Sequence, residues 1–240
     1  MRKRQVEVGT AVRKTVPGAT VGVEVYDRDT ATVLTSLGAD HQFPSMSLVK
    51  LFIALDVLHQ NNWELPGVPM QQRLTRMLSG SDDQIANALW SSNGGPAIVD
   101  RVVRLLGLTG TEPPEDPGEW GDTLVTPQDL VTTYNYLADN LPPPAHDLLY
   151  NALYHASRTA ADGTDQYFGI PEGLPGTTWA IKQGWGSSGA KAELNTTGLV
   201  GADARYVVIV LASAPLSAYR QLPAALTNGT AQLAGLVSGP

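Results

Sequence analysis

Ser47 and Lys50 stand one helical turn apart at the head of an almost wholly apolar run, Phe43-Pro44-Ser45-Met46-Ser47-Leu48-Val49-Lys50-Leu51-Phe52-Ile53-Ala54-Leu55. An i, i+3 spacing brings two side chains together on one helix face. Apart from Lys50, no polar residue follows Ser47 until Asp56, and a helix that is apolar most of the way round is a buried helix. A lysine in that setting loses proton affinity. A neutral amine beside a hydroxyl can take its proton and turn it into a nucleophile. The pair alone proves little, because Ser-x-x-Lys recurs by chance and a lysine early in a helix is ordinarily solvated.

Two further polar clusters have ordinary readings of their own. Ser79-Gly80-Ser81-Asp82-Asp83-Gln84-Ile85-Ala86-Asn87 reads as a helix N-cap, since Ser or Asp ahead of a helix satisfies free backbone donors. Lys182-Gln183-Gly184 ends a strand pattern and reads as a solvated edge lysine before a turn. In chain order, however, Ser47-Leu48-Val49-Lys50, Ser81-Asp82-Asp83 and Lys182-Gln183-Gly184 follow S-x-x-K, S-D-N and K-T-G, three motifs of serine acyl transfer. The order agrees, and the second and third motifs are inexact.

The surroundings of these motifs resemble class A β-lactamases and their penicillin-binding relatives, from about Val21 to Ser213. Phe43-Pro44-Ser45-Met46-Ser47 is similar to the family's run into its nucleophile. Ala86-Asn87 with Gly94-Gly95-Pro96 is similar to the segment after its second motif, and Asp122-Thr123 with Thr126-Pro127 to the end of its omega loop; Gly173-Leu174-Pro175 precedes Lys182 as it does there. The resemblance implies catalytic roles for Ser47, Lys50, Ser81 and Lys182. Ser47 would attack a carbonyl, with its own backbone N–H and that of Trp185 holding the oxyanion. Lys50 would take or relay the proton, Ser81 would pass one to the leaving nitrogen, and Lys182 would supply positive charge and could face a substrate carboxylate. Asp83, Gln183, Gly184 and Gly186 would contact substrate. It also implies export, with a leader absent from this chain, and a cytoplasmic location stays open.

Three departures bear on that reading. Asp83 stands where the family has an asparagine, and an ionised aspartate accepts hydrogen bonds but cannot donate. Gln183 replaces a hydroxyl residue that contacts a substrate carboxylate. The segment between Leu106-Gly107 and Asp122 is much shorter than the family's omega loop, which carries the glutamate that activates the deacylating water. Glu112, Glu115 and Glu119 are available there, and Glu112 before Pro113 looks most like the family's pair, though its spacing is wrong. A positioned general base contributes roughly 10²–10⁴-fold, so without one a β-lactam would acylate Ser47 and leave slowly. The expected activity is therefore serine acyl transfer on β-lactams or related amides with weak deacylation. The alternatives are a D-alanyl-D-alanine peptidase, an esterase or transacylase, or a binding module that keeps the fold without turnover.

Composition removes other classes. Among 240 residues, Lys+Arg number 16 against Asp+Glu 23, a formal charge of -7, which argues against nucleic acid because phosphate binding needs a basic surface. The absence of cysteine excludes disulfides, a thiolate nucleophile and cysteine-type zinc sites. His41, His59, His146 and His155 show no metal-ligand spacing, and no cofactor or metal is expected. Gly184-Trp185-Gly186-Ser187-Ser188-Gly189 fits G-x-G-x-x-G, but a strand pattern follows where a dinucleotide fingerprint needs a helix. Met1-Arg2-Lys3-Arg4 is basic without the apolar run of a secretory signal, and no apolar stretch is long enough to span a bilayer. A small-molecule substrate and a monomeric chain are expected.

The elements that must position these residues can be read from periodicity. A polar helix over about Val6 to Val16 ends at Pro17-Gly18, and alternating runs Val21–Tyr26 and Thr32–Leu37 flank a turn at Asp27–Thr30. Helical patterns fill Ser47 to about Ser157, at Gln71–Leu78, Asp83–Trp90, Pro96–Leu106, Pro127–Ala138 and Pro144–Ser157. Gly107–Asp122 reads as an exposed, proline-rich loop. Strand patterns return at Thr178–Gln183, Glu193–Val200 and Tyr206–Leu211, with a hairpin turn at Gly201–Ala204, and a helix closes the chain at about Ala218–Leu236. Short connections make neighbouring strands antiparallel. The expected fold is α+β, β-lactamase/transpeptidase-like: a five-stranded antiparallel sheet from both chain ends (residues 1–44 and 178–240), flanked by helices, with an inserted all-helical domain (residues 45–177).

Overall fold

The computed structural model describes residues 2–237, with side chains from residue 7 onward. The basic run at residues 1–4 lies outside the described side chains. Helix α1 (Arg2–Thr15) leads to strands β1 (Thr20–Asp27), β2 (Thr32–Leu37) and β3 (Phe43–Pro44). A 3-10 turn, Met46–Leu48, opens directly into α2 (Val49–Gln60), followed by α3 (Val68–Ser79), α4 (Asp83–Ser92) and α5 (Ala97–Leu106). After a loop come β4 (Leu124–Val125), α6 (Pro127–Asp139), α7 (Pro143–Tyr154) and the single turn α8 (Ile170–Gly173). Strands β5 (Trp179–Ser188), β6 (Lys191–Val200) and β7 (Tyr206–Pro215) precede α9 (Leu222–Ala231) and α10 (Ala234–Val237).

The main sheet has the order β2-β1-β7-β6-β5, antiparallel throughout. Strand β1 from the start of the chain lies against β7 from its end, Val23 opposite Val210, so the two chain ends are joined in the middle of the sheet. Alternation along β1 sorts the side chains. Val21, Val23 and Val25 face α1 and α9 in one core with Val8, Val12, Leu222 and Leu226. The opposite face contributes Ala180, Leu199, Val207, Ile209 and Leu211 to a second core shared with α2 to α7. The helical block and the sheet thus share apolar interior across residues 44/45 and 177/178.

Helix α2 buries Val49 through Asp56 and Leu58. That stretch has no solvent face, and each enclosed Leu, Ile or Phe contributes about 1.5–3 kcal/mol. Three expectations are corrected. Ser47 sits in the 3-10 turn ahead of α2, not on the α-helix itself. The closing helix is broken: Leu216–Gln221 is a 3-10 segment, Pro223 stands in the first turn of α9, and α10 is separate. The Gly107–Asp122 loop is partly enclosed, with Thr111 buried, Glu112 bridged to Leu124 through the backbone, and a 3-10 turn at Trp120–Asp122.

Candidate active site

Strand β3 pairs with β4, Phe43 opposite Val125 and Pro44 opposite Leu124, and the Ser45 N–H donates to the Thr123 carbonyl (2.7 Å). These bonds tie the approach to Ser47 to the end of the loop. Met46, immediately before the serine, has φ +49, a left-handed conformation that is unusual without glycine. On its other side the turn presses against β5. A Cβ at Gly184 would lie 2.7 Å from the Ser45 carbonyl oxygen, and one at Gly186 would lie 2.6 Å from the Met46 sulfur. Gly184 and Gly186 therefore permit the close approach of strand and turn, and Gly186 also lines the cleft.

Lys50 is fully enclosed, and its Nζ, with three N–H donors at most, lies within hydrogen-bond distance of four oxygens: Ser47 Oγ at 2.8 Å, the Ser81 carbonyl at 2.8 Å, Ser81 Oγ at 3.0 Å and Asp83 Oδ1 at 2.5 Å. Burial pulls its proton affinity below that of an ordinary lysine, against the opposing pull of Asp83. Lys182, 1% exposed, donates to Ser81 Oγ at 3.0 Å and to the Gln183 carbonyl at 2.9 Å. Burial first, and the neighbouring Lys50 charge second, hold it well below the usual lysine range. Ser81, at φ +53, is thus a hydroxyl accepting from two amines, which leaves its own proton free to be donated. Asp82 caps α4, accepting from the Ile85 N–H (3.2 Å), so the cap reading holds on the residue next to the Ser81 that meets both lysines.

Antiparallel pairing orients the backbone of β5. The Lys182 carbonyl faces β6, where it accepts from Thr197 Oγ1 at 2.7 Å, while the Gln183 carbonyl faces away and accepts from Lys182 Nζ. Residues two apart share orientation on a strand, so the Trp185 N–H also faces away from β6, on the cleft side that Trp185 lines.

Two expected site residues are placed elsewhere. Gln183, one residue on from Lys182, points its side chain to the opposite face of the strand and donates to the Gln166 and Phe168 carbonyls at 2.9 and 2.7 Å. Glu112 is exposed and accepts from Gln42 Nε2 at 2.8 Å, outside the cleft lining. The lining instead includes Glu119, one of the three loop glutamates the sequence offers, Asp122 at the end of the loop, and Trp120 and Asp162, which no motif marks. Trp120 is the most consequential of these. Its ring centre lies 5.0 Å from Lys50 Nζ and its Nε1–H donates to Asn87 Oδ1 at 2.7 Å, so an indole covers the lysine where a catalytic carboxylate was sought. An aromatic in an acidic, proline-rich loop is the signal that could have marked it.

No family model matches the chain. The chain is 37% identical over 202 residues to "Putative lipoprotein LppW" of Mycobacterium tuberculosis, covering 80% of this chain and 63% of that protein, and equally to the Mycobacterium bovis protein of the same name. The chain therefore spans 63% of the length of the curated relatives it matches. Among solved structures, a β-lactamase from Chitinophaga pinensis superposes with TM-score 0.78 at 15% identity over 97% of this chain and 98% of that one. The β-lactamase from Streptomyces albus G gives 0.73 at 24% over 98% and 99%. A mutant of PBP-A, solved as an acyl-enzyme complex with penicillin G, gives 0.75 at 19% over 98% and 96%. The chain has the fold shared by class A β-lactamases and PBP-A.

Proposed function

We propose that the protein is a serine hydrolase that forms an acyl-enzyme on Ser47 from β-lactams or related amides and esters, and that it releases the acyl group slowly. The observation that carries this reading is the 2.8 Å contact between Lys50 Nζ and Ser47 Oγ inside a buried cluster of two lysines and Ser81. Ser47 Oγ bonds to the carbonyl carbon as the bond to the leaving group breaks. The Ser47 proton passes to Lys50, which returns a proton to Ser81 Oγ as Ser81 donates its own to a leaving nitrogen, while Lys182 sustains its acidity. Backbone N–H groups of Ser47 and Trp185 hold the oxyanion. Slow release follows from Trp120, which lies over Lys50, and from Glu112 being engaged by Gln42. An envelope location belongs to the same proposal, supported by the lipoprotein name of the relatives. No helix among the described residues is long and apolar enough to cross a membrane.

The test is intact mass over time after mixing with a penicillin and, in parallel, with an activated neutral ester. A long-lived adduct on the parent protein that is missing from Ser47→Ala supports the proposal. Adducts with neither reagent would overturn it in favour of a binding module, and an ester adduct alone would move the activity to an esterase or transacylase.

A further inference from the structure

The cleft above Ser47 encloses about 530 Å³, and its lining carries the carboxyl groups of Asp83, Glu119, Asp122 and Asp162 and, among the described residues, no lysine or arginine. The cations of the site lie beneath it. Lys50 and Lys182 are 0 and 1% exposed, and Lys50 is paired with Asp83 at 2.5 Å. Even with both lysines protonated, acidic groups outnumber basic ones around the serine. Asp162 is held firmly in this arrangement, its Oδ2 accepting from Trp185 Nε1 and its Oδ1 from the Thr164 N–H, both at 2.9 Å. Burial works against its ionisation, yet these bonds and the Lys50 charge keep its carboxyl below the ordinary range. Trp120 and Trp185 add indole surface to the cleft, and indole faces attract cations.

A second, independent set of contacts points the same way. A substrate carboxylate would need a cation or hydroxyl to receive it. Lys182 gives two donors to Ser81 and the Gln183 carbonyl beneath the cleft, and the Gln183 side chain faces the other side of the sheet, so that besides Ser47 the only hydroxyl lining the cleft among the described residues is that of Ser187, with no cation beside it. Ser47, its amine partners and the cavity make the site; the acidic rim governs what enters it.

Building on the acyl-transfer reading, we propose that this site selects substrates carrying a positive charge near the reacting carbonyl, namely cationic esters or amides, over carboxylate-bearing ones. A cation approaching Ser47 is attracted by Asp162, Glu119 and Asp122, whereas a carboxylate meets like charge on a rim that solvent reaches, an effect that added salt screens. Asp83, an acceptor where a carboxamide would also donate, fits a substrate N–H or ammonium in the same way.

The experiment compares p-nitrophenyl esters of one leaving group and three acyl chains: trimethylammoniobutyrate, its uncharged tert-butyl isostere, and glutarate. In each, Ser47 Oγ gains the acyl group, the ester C–O bond breaks, p-nitrophenolate leaves with the electron pair, and the serine proton goes through Lys50 to solvent. Rates with Ser47→Ala are subtracted. At low salt, kcat/KM for the cationic ester should exceed that for the isostere by about tenfold or more, with glutarate slowest. The ratio of cationic to neutral rates should fall as salt is raised and in the double variant Glu119→Gln/Asp162→Asn. A ratio at or below one, or one indifferent to salt, overturns the charge preference while leaving acyl transfer intact. Failure of all three esters to acylate Ser47 overturns the acyl-transfer reading instead, and the preference with it.

Discussion

Trp120 occupies the flank of the Ser47–Lys50 pair, with its ring 5.0 Å from the amine and its N–H turned away to Asn87. An indole in that place offers no base of its own, and the slow release proposed above requires that none of the lining carboxyls of Asp83, Glu119, Asp122 and Asp162 activates water against an acyl group on Ser47. Replacing the ring by a carboxylate should supply the missing group. In Trp120→Glu the Ser47 adduct is expected to decay at least about tenfold faster than in the parent, within the roughly 10²–10⁴-fold range of a positioned base, measured by the half-life of the adduct mass. Trp120→Leu removes the indole without adding a base and should not match that gain; equal acceleration in both would mean that water access alone limits release. At this scale Ser47, Lys50, Ser81 and Lys182 were legible because their types recur at motif spacings. Gln183 was misplaced although the sequence held the correction: a strand that aims Lys182 into the cleft aims the next residue out of it. Trp120 and Asp162 were not legible, and Glu119 was named only as one of three loop glutamates, because side chains on irregular loops obey no period that would show which of them turn inward.

The loop that delivers Trp120 is short, and one residue of the following helix fixes it. Asp129, buried in the first turn of α6, accepts from the Thr109 N–H at 3.1 Å, the Gly110 N–H at 2.8 Å and Thr111 Oγ1 at 2.7 Å. Its own N–H is held by Thr126 Oγ1 at 3.2 Å, so the helix cap and the loop anchor are one structure. Hydrogen bonds to a charged acceptor contribute about 1.5–3 kcal/mol each, and a buried donor left unpaired adds to the loss. Asp129→Ala should therefore lower unfolding free energy by about 3–5 kcal/mol in a urea titration, and Asp129→Asn, which keeps one acceptor oxygen, by less. A loss under about 1 kcal/mol for the alanine variant, less than one such bond, would show that the loop is ordered by its other contacts, such as the Glu112–Leu124 bridge. The main-sheet strands and the longer helices were legible from period and from proline placement, the broken closing helix excepted. The β3–β4 pair and the 3-10 turn at Ser47 were not, since two or three residues carry no periodicity to detect.

Helices cover both faces of the sheet, and that arrangement strands two acids in its interior. Glu24 on β1 and Glu193 on β6 are 5% and 1% exposed, each with one carboxyl oxygen lacking a hydrogen-bond partner among the described residues. Ser213 Oγ donates to the other oxygen of Glu193 at 2.7 Å. Burial pushes both carboxyls up to about 7, against their ordinary value near 4.5 in the unfolded chain. A folded-state value raised in this way favours the protonated acid. The native state is then undiminished below about pH 4.5, loses stability as pH rises toward 7, and carries the full burden of two enclosed charges above that, an upper bound of about 3 kcal/mol per site. Glutamine at these positions has no charge to enclose. The variant Glu24→Gln/Glu193→Gln should consequently unfold at nearly the parent's urea midpoint at about pH 4.5 and at a clearly higher one at about pH 8, the gap opening between those values. The difference between the two curves isolates these acids from every other titrating group, because all others are common to both proteins. A gap that stays constant with pH would mean that the two carboxyls remain ionised in the fold, held there by water reaching the sheet from the cleft side.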